Sequence, residues 1–180
     1  LRVPGGNSLS RSQIDGYTDF VGKLGAKGLA YIKVNSLESE DGLQSPILKF
    51  LSKTFVNTLI NDLSVEKNDL IFFGAGSSTV VNLSMSSLIK KLGQDLKLYT
   101  SDWAPCWIID FPMFEKTDSG LSALHHPFTR PNSTIEELKN DPLAVQAFAY
   151  DLVLNGYEIG GGSLRIHDHE MQSAIFEALD

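Results

Sequence analysis

The residues best placed to do chemistry lie in the stretch Tyr150 to His167, which reads YDLVLNGYEIGGGSLRIH. Asn155-Gly156 stands between apolar residues and predicts a two-residue type I′ hairpin, because both central residues of that turn need positive φ. Such a turn fixes the register: Leu154 faces Tyr157, Val153 faces Glu158 and Leu152 faces Ile159. Side chains alternate, so Asp151 and Glu158 share one face, set diagonally at about 7 Å or less. Two carboxylates that close repel unless they are solvated, paired or bridged. One arrangement is a magnesium ion held by one or two carboxylates plus nucleotide phosphates; the other is a wet sheet face bearing two unrelated acids.

Three consecutive glycines, Gly160, Gly161 and Gly162, cost the return strand conformational entropy and side-chain packing. Either a ligand lies against the bare backbone or a bulge needs the freedom. Parity sharpens the choice. Glu158 and Arg165 are seven positions apart, so a regular strand sends them to opposite faces. A shared site therefore requires a bulge within Gly160–Gly162. The Arg165 guanidinium fork matches a carboxylate bidentately. Further back, HHPFT (His125–Thr129) ends another predicted strand. Adjacent histidines in a strand point in different directions, so at most one of His125 and His126 contacts a given ligand. Otherwise both are structural or exposed. His167 and His169 read as surface or capping residues, and no Ser–His–Asp set or HExxH pattern is present.

Helices and strands in alternation must position these groups. Ser10 and Gln13 form a capping box before Ile14, Tyr17, Phe20, Val21 and Leu24, and Gly25 ends that helix. Gly28 to Asn35 alternates as a strand, followed by a polar loop from Ser36 to Gly42. Ser45-Pro46 predicts a second helix with a buried stripe of Ile47, Phe50, Leu51, Phe55, Leu59 and Leu63. Asp69 to Ala75 is a strand, and a third helix runs from about Thr79 to Leu92, stopped by Gly93. Gly74 to Ser78 (GAGSS) lacks the lysine and spacing of a phosphate loop and reads as a strand-to-helix turn. Trp103 to Glu115 predicts a central strand disturbed at Pro112, with Cys106 as a small buried residue. Asp118-Ser119-Gly120 turns the chain, and Leu121 to His125 returns as a partner strand. Ser133 with Glu136 is a second capping box for a helix ending near Asn140. Ala147 to Leu154 leads into the hairpin, and a last helix after Asp168 sets Met171, Ile175, Phe176 and Leu179 on one side. The pattern is an α+β fold, with antiparallel strands covered by helices.

The chain has 180 residues, 42% hydrophobic and 21% charged, with a net charge of −7 and one cysteine. That composition excludes wholesale disorder, an internal disulfide framework and a cysteine-based zinc cluster. It fits a reducing compartment. No apolar run approaches the roughly 20 residues of a membrane span, and residues 1–25 lack a signal-peptide core. Residue 1 is Leu and the first methionine is Met85, so the expectation is a piece of a longer protein. Residues 1–100 carry 11 basic and 9 acidic side chains, and residues 101–180 carry 4 and 13. An acidic second half argues against a surface that grips duplex nucleic acid. It suits either a divalent cation or plain solvation.

The motifs in order resemble the bacterial type of aspartyl-tRNA synthetase, a class II, subclass b enzyme. They are LRVPGG (Leu1–Gly6), GAKGLAYIKVN (Gly25–Asn35), GLQSPILKFL (Gly42–Leu51), LIFFGA (Leu70–Ala75), WAPCWIIDFPMFE (Trp103–Glu115), HHPFT and the Tyr150–His167 run. The resemblance implies two domains. Residues 1–100 correspond to an insertion domain shared with the B subunit of the tRNA-dependent amidotransferase, and residues 101–180 to part of the class II antiparallel catalytic sheet with flanking helices. It implies ATP with Mg2+, L-aspartate and tRNA as the parent's cofactor and partners, a homodimeric parent, a cytoplasmic location and no membrane association.

Carried over residue by residue, Asp151 and Glu158 resemble the magnesium ligands, with Glu158 also an ATP ligand. Arg165 and His125 resemble the L-aspartate-binding pair. His126, Gly160, Gly161 and Gly162 are weaker candidates. The family's first motif, its second-motif arginine, its GLDR segment and its anticodon-binding barrel do not occur in this sequence. The resemblance therefore implies no catalytic residue here and a chain inactive alone. The competing expectation is a non-catalytic module whose first half docks RNA or protein.

Overall fold

The computed structural model describes residues 1–180, the side chain of Glu40 excepted. It is a mixed α/β structure with antiparallel sheets and several helices, and it divides into two compact units, Leu1–Thr100 and Ser101–Asp180.

The first unit is a four-stranded antiparallel sheet of β1 (Arg2–Val3), β2 (Ala30–Val34), β3 (Leu43–Gln44) and β4 (Leu70–Phe73), in the order β1-β4-β2-β3. Strand alternation sends Leu70 and Phe72 to a core shared with α1 (Arg11–Gly22) and α3 (Ser78–Asp95). The intervening Ile71 and Phe73 pack with α2 (Lys53–Asp62). Helices thus cover both faces, and each fully buried Leu, Ile or Phe contributes about 1.5–3 kcal/mol. Helix α1 begins with the expected capping box between Ser10 and Gln13. Gly25, at φ +96°, ends its last turn while Ala26 N–H bonds back to Val21 O.

Three expectations in this unit need correction. Ser45 does not start a long helix. Its hydroxyl donates to Tyr31 O and accepts from Ile47 N–H, a single 3₁₀ turn forms at Leu48–Phe50, and Ser52 caps α2. Phe50 is consequently 76% exposed and Phe55 48% exposed, while Ile47, Leu51, Leu59 and Leu63 join the core. Gly93 does not stop α3. It lies inside the helix, where a Cβ would stand 3.2 Å from the Tyr99 ring. Strands β1 and β3 have too few residues to show a period. GAGSS is a strand-to-helix turn, with Ser77 capping α3 through Val80 N–H.

The second unit contains β5 (Pro105–Ile108), β6 (Phe111–Pro112), β7 (Phe114–Thr117), β8 (Gly120–Ala123), α4 (Ile135–Asn140), β9 (Gln146–Ala147), β10 (Ala149–Leu154), β11 (Tyr157–Ser163) and α5 (His169–Leu179). Its core gathers Met113, Phe114, Leu138, Val145, Ala147, Ala149, Ala174 and Ile175. The Trp103–Glu115 stretch is broken at Asp110, in the left-handed region at φ +58°, and not at Pro112. Met113 N–H donates to Val145 O, so the preceding residue falls where its nitrogen points away from β9. Proline is tolerated there because no ladder donor is lost. Cys106 is exposed on β5, contrary to the buried expectation. The capping box of α4 is one residue later than Ser133 and Glu136: Thr134 caps, and Glu137 bonds back to its N–H. Asp168 caps α5, leaving His167 and His169 at the surface. Phe176 is half exposed and meets Phe128 edge-on instead of joining the buried side. Among the described residues no helix is long and apolar enough to cross a membrane.

Candidate functional site

The hairpin closes as expected through Asn155 at φ +52° and Gly156 at φ +85°. Leu154 pairs with Tyr157 and Val153 with Glu158, but Leu152 pairs with Gly160. Ile159 is therefore the extra residue. The register break is present one position before the glycine run, so the expected bulge moves from Gly160–Gly162 to Ile159. Beyond it Asp151 pairs with Gly161 and Ala149 with Ser163, and Thr129 forms a bridge to Arg165.

This register brings three of the candidates together. Val153 and Asp151 face one way on β10, so Glu158 opposite Val153 lies on that side. Gly161 opposite Asp151 lies there too, followed at two-residue steps by Ser163 and Arg165. Glu158 and Arg165 are exposed and Asp151 is half-buried, so the face is open to solvent. Among the described residues none of these three charges makes an ion pair.

The two histidines part company. His126 is used by its own turn: its Nδ1 accepts from Phe128 N–H at 3.2 Å and its carbonyl accepts from Thr129 N–H. His125 packs edge-on against Phe111, with ring centroids 4.6 Å apart. Among the described residues no hydrogen bond or ion pair links His125 to Asp151, Glu158 or Arg165.

The glycines have distinct surroundings. A Cβ on Gly161 would overlap the Asp151 carboxylate, and one on Gly162 would stand 2.8 Å from the Tyr150 hydroxyl. A Cβ on Gly160 meets nothing within 4 Å. Cross-strand side chains lying flat therefore account for two of the three, an arrangement beyond the ligand and bulge alternatives. The reverse face carries Trp107 against Tyr150, centroids 6.0 Å apart.

Sequence reasoning missed Thr129 and Ser163. Thr129 is buried, receives a long 3.5 Å hydrogen bond from Arg165 Nη1 and donates one of equal length to Ser163 Oγ. Counting in twos from Gly161 reaches Ser163, but nothing local announces Thr129.

Among the described residues no group of three or more His, Cys, Asp or Glu side chains is arranged to hold a metal ion. Two carboxylates on one open face still fit a magnesium ion that takes most of its ligands from water and phosphate. In the first unit a cleft of about 380 Å³ is lined by Leu37, Leu43, Leu48, Leu51, Val56 and Ile60 among others, and none of the candidates lines it.

Residues 1–85 match the GAD domain. This domain is typical of proteins related to the aspartyl- and glutamyl-tRNA synthetases. The GAD match covers the whole four-stranded sheet, α1, α2 and the first turns of α3. Asp151, Glu158, Arg165 and His125 all lie outside the GAD residues.

Proposed function

We propose that the chain is a segment of a bacterial-type, class IIb aspartate–tRNA ligase. Residues 1–100 are its insertion domain and residues 101–180 part of its catalytic sheet. The observation that carries the reading is the common face of Asp151, Glu158 and Arg165, reached across the Ile159 bulge. The GAD match at residues 1–85 supports it independently.

Each group has a distinct task. The Arg165 fork pairs with the side-chain carboxylate of L-aspartate, a contact that the neutral amide of asparagine cannot reproduce. His125, braced on Phe111, lies near the bound amino acid. Asp151 and Glu158 would hold a magnesium ion that arrives with ATP, and Glu158 would also contact the nucleotide itself. Magnesium, when bound, screens the phosphate charge. A carboxylate oxygen of aspartate attacks the α-phosphorus of ATP and pyrophosphate leaves, giving aspartyl-adenylate. A hydroxyl of the terminal adenosine of tRNA then attacks the acyl carbon and AMP leaves. The parent is a cytoplasmic homodimer. The arginines that stabilise the transferred phosphoryl charge are absent from these 180 residues, so the chain alone does not catalyse the reaction.

The test is ATP–pyrophosphate exchange by the protein made from the complete coding sequence. Exchange depends on L-aspartate, falls on Arg165→Gln, and is absent from the 180-residue chain. Dependence on another amino acid, or robust exchange by the chain alone, overturns the proposal.

A further inference from the structure

The Asp151 carboxylate lies across the hairpin ladder, over the bare α-carbon of the residue paired with it, Gly161. A Cβ there would overlap the carboxylate oxygen, stand 3.3 Å from Asp151 Cγ and 3.1 Å from Tyr150 O. Any side chain at position 161 forces the Asp151 carboxylate off the place it holds over β11, the strand that carries Glu158. The neighbouring pair repeats the device on the reverse face, where the Tyr150 ring covers Gly162. Glycine normally weakens a strand; here the missing Cβ is the space the acid occupies.

We infer that Gly161 is a positioning residue, whose lack of a side chain sets the Asp151 carboxylate beside the strand of Glu158 so that both can face one divalent cation. This rests on the reading of Asp151 and Glu158 as ligands of nucleotide-bound magnesium.

The test uses the protein made from the complete coding sequence, Mn2+ with ATP as the probe, and 13C carboxyl line broadening at Asp151 and Glu158 as the readout. Three-bond couplings report the Asp151 rotamer without metal. Gly161→Ala shifts the rotamer and weakens the apparent Mn2+ affinity roughly tenfold or more, as loss of a supporting contact does at metal sites. In a thermal double-mutant cycle, Gly161→Ala costs less in the Asp151→Ala background than alone. Unchanged couplings and broadening, or additive stabilities, overturn the positioning role. Absence of broadening in the unsubstituted chain overturns the metal reading itself, and the positioning role with it. Should Gly161→Ala fail to fold, recovery of folding in the double variant supports the inference and continued failure overturns it.

Discussion

Asn155 holds Asp102 from the tip of the hairpin. Its Nδ2 donates to the Asp102 carbonyl at 2.8 Å, its Oδ1 accepts from Ala104 N–H at 2.8 Å, and its own N–H reaches Ala104 O at 3.3 Å. One residue therefore both makes the left-handed turn and ties down the segment leading into β5. Asn155→Gly keeps the turn and removes the two side-chain bonds, at about 1–2 kcal/mol. Asn155→Ala adds roughly 1 kcal/mol for a left-handed residue with a Cβ. Urea unfolding checks both, and amide exchange at Ala104 is faster in each variant. A glycine variant as stable as the parent sequence would mean the clamp contributes nothing.

What could be read from the chain was what is local. Ser10 with Gln13, and Asn155 with Gly156, state their structures within a few residues. The common face of Asp151, Glu158 and Arg165 follows from parity once a bulge is allowed. Its place did not follow, because the glycine run looks the natural site while Ile159 is the residue left over. Contacts made only on folding were silent. Nothing near Gly93 shows that Tyr99 packs on it, and nothing near Arg165 shows that its bridge partner is Thr129. Ser45 and Ser52 are both fair helix caps, and only the hydrogen bond from Ser45 to Tyr31 O decides between them.

Tyr17 donates to Asp95 at 2.9 Å, joining α1 to α3. Burial, then this bond, pushes the Tyr17 hydroxyl up from 10.0 to about 12. A group whose folded pKa is raised contributes stability that is complete below its unfolded value and is lost as pH rises to the folded one. For Tyr17 the loss falls between pH 10 and 12. Asp95 has the opposite sign: bonds from Lys91 and Tyr17 hold its carboxyl below the usual value, so its contribution disappears as pH falls through the acid range. Tyr17→Phe lowers stability at neutral pH by about 1–2 kcal/mol. It also removes this residue's share of the alkaline fall, so the melting temperatures of variant and parent converge above pH 12. Parallel curves from pH 7 to 12 would contradict the assignment.

Two glycines in the first unit take alanine with opposite effects. Gly16 is exposed in the middle of α1, with nothing within 4 Å of an added Cβ. Gly16→Ala stabilises by about 0.5–1 kcal/mol through helix propensity and a restricted unfolded chain. Gly42 accepts from Asn35 N–H and Ser36 N–H, and an added Cβ would overlap the Ser36 backbone, with Ser36 C at 2.7 Å. Backbone cannot rotate aside as a side chain can. Gly42→Ala therefore costs about 1–3 kcal/mol, in the range of overpacking. Melting temperatures of the two variants move in opposite directions.

Ser133 and Thr134 look interchangeable in sequence, since each is followed three residues later by a glutamate. The structure separates them: Thr134 Oγ1 accepts from Glu137 N–H at 3.2 Å, while the Ser133 hydroxyl is buried without a partner. Thr134→Ala loses the cap, at about 1 kcal/mol. Ser133→Ala removes a polar atom that gave up water and gained no bond, so the substitution is neutral or stabilising. Glu137 supplies a pH signature. The Thr134 backbone N–H, and then its hydroxyl, hold the Glu137 carboxyl below its usual value. A lowered carboxyl contributes stability above its unfolded pKa and loses it as pH falls through the folded one. Thr134→Ala therefore destabilises more at pH 6 than at pH 3, whereas Ser133→Ala shows no such dependence. The reverse order, with Ser133→Ala costly and pH-sensitive, would place the cap one residue earlier and shift α4 by a residue, turning Leu138 out of the core it fills.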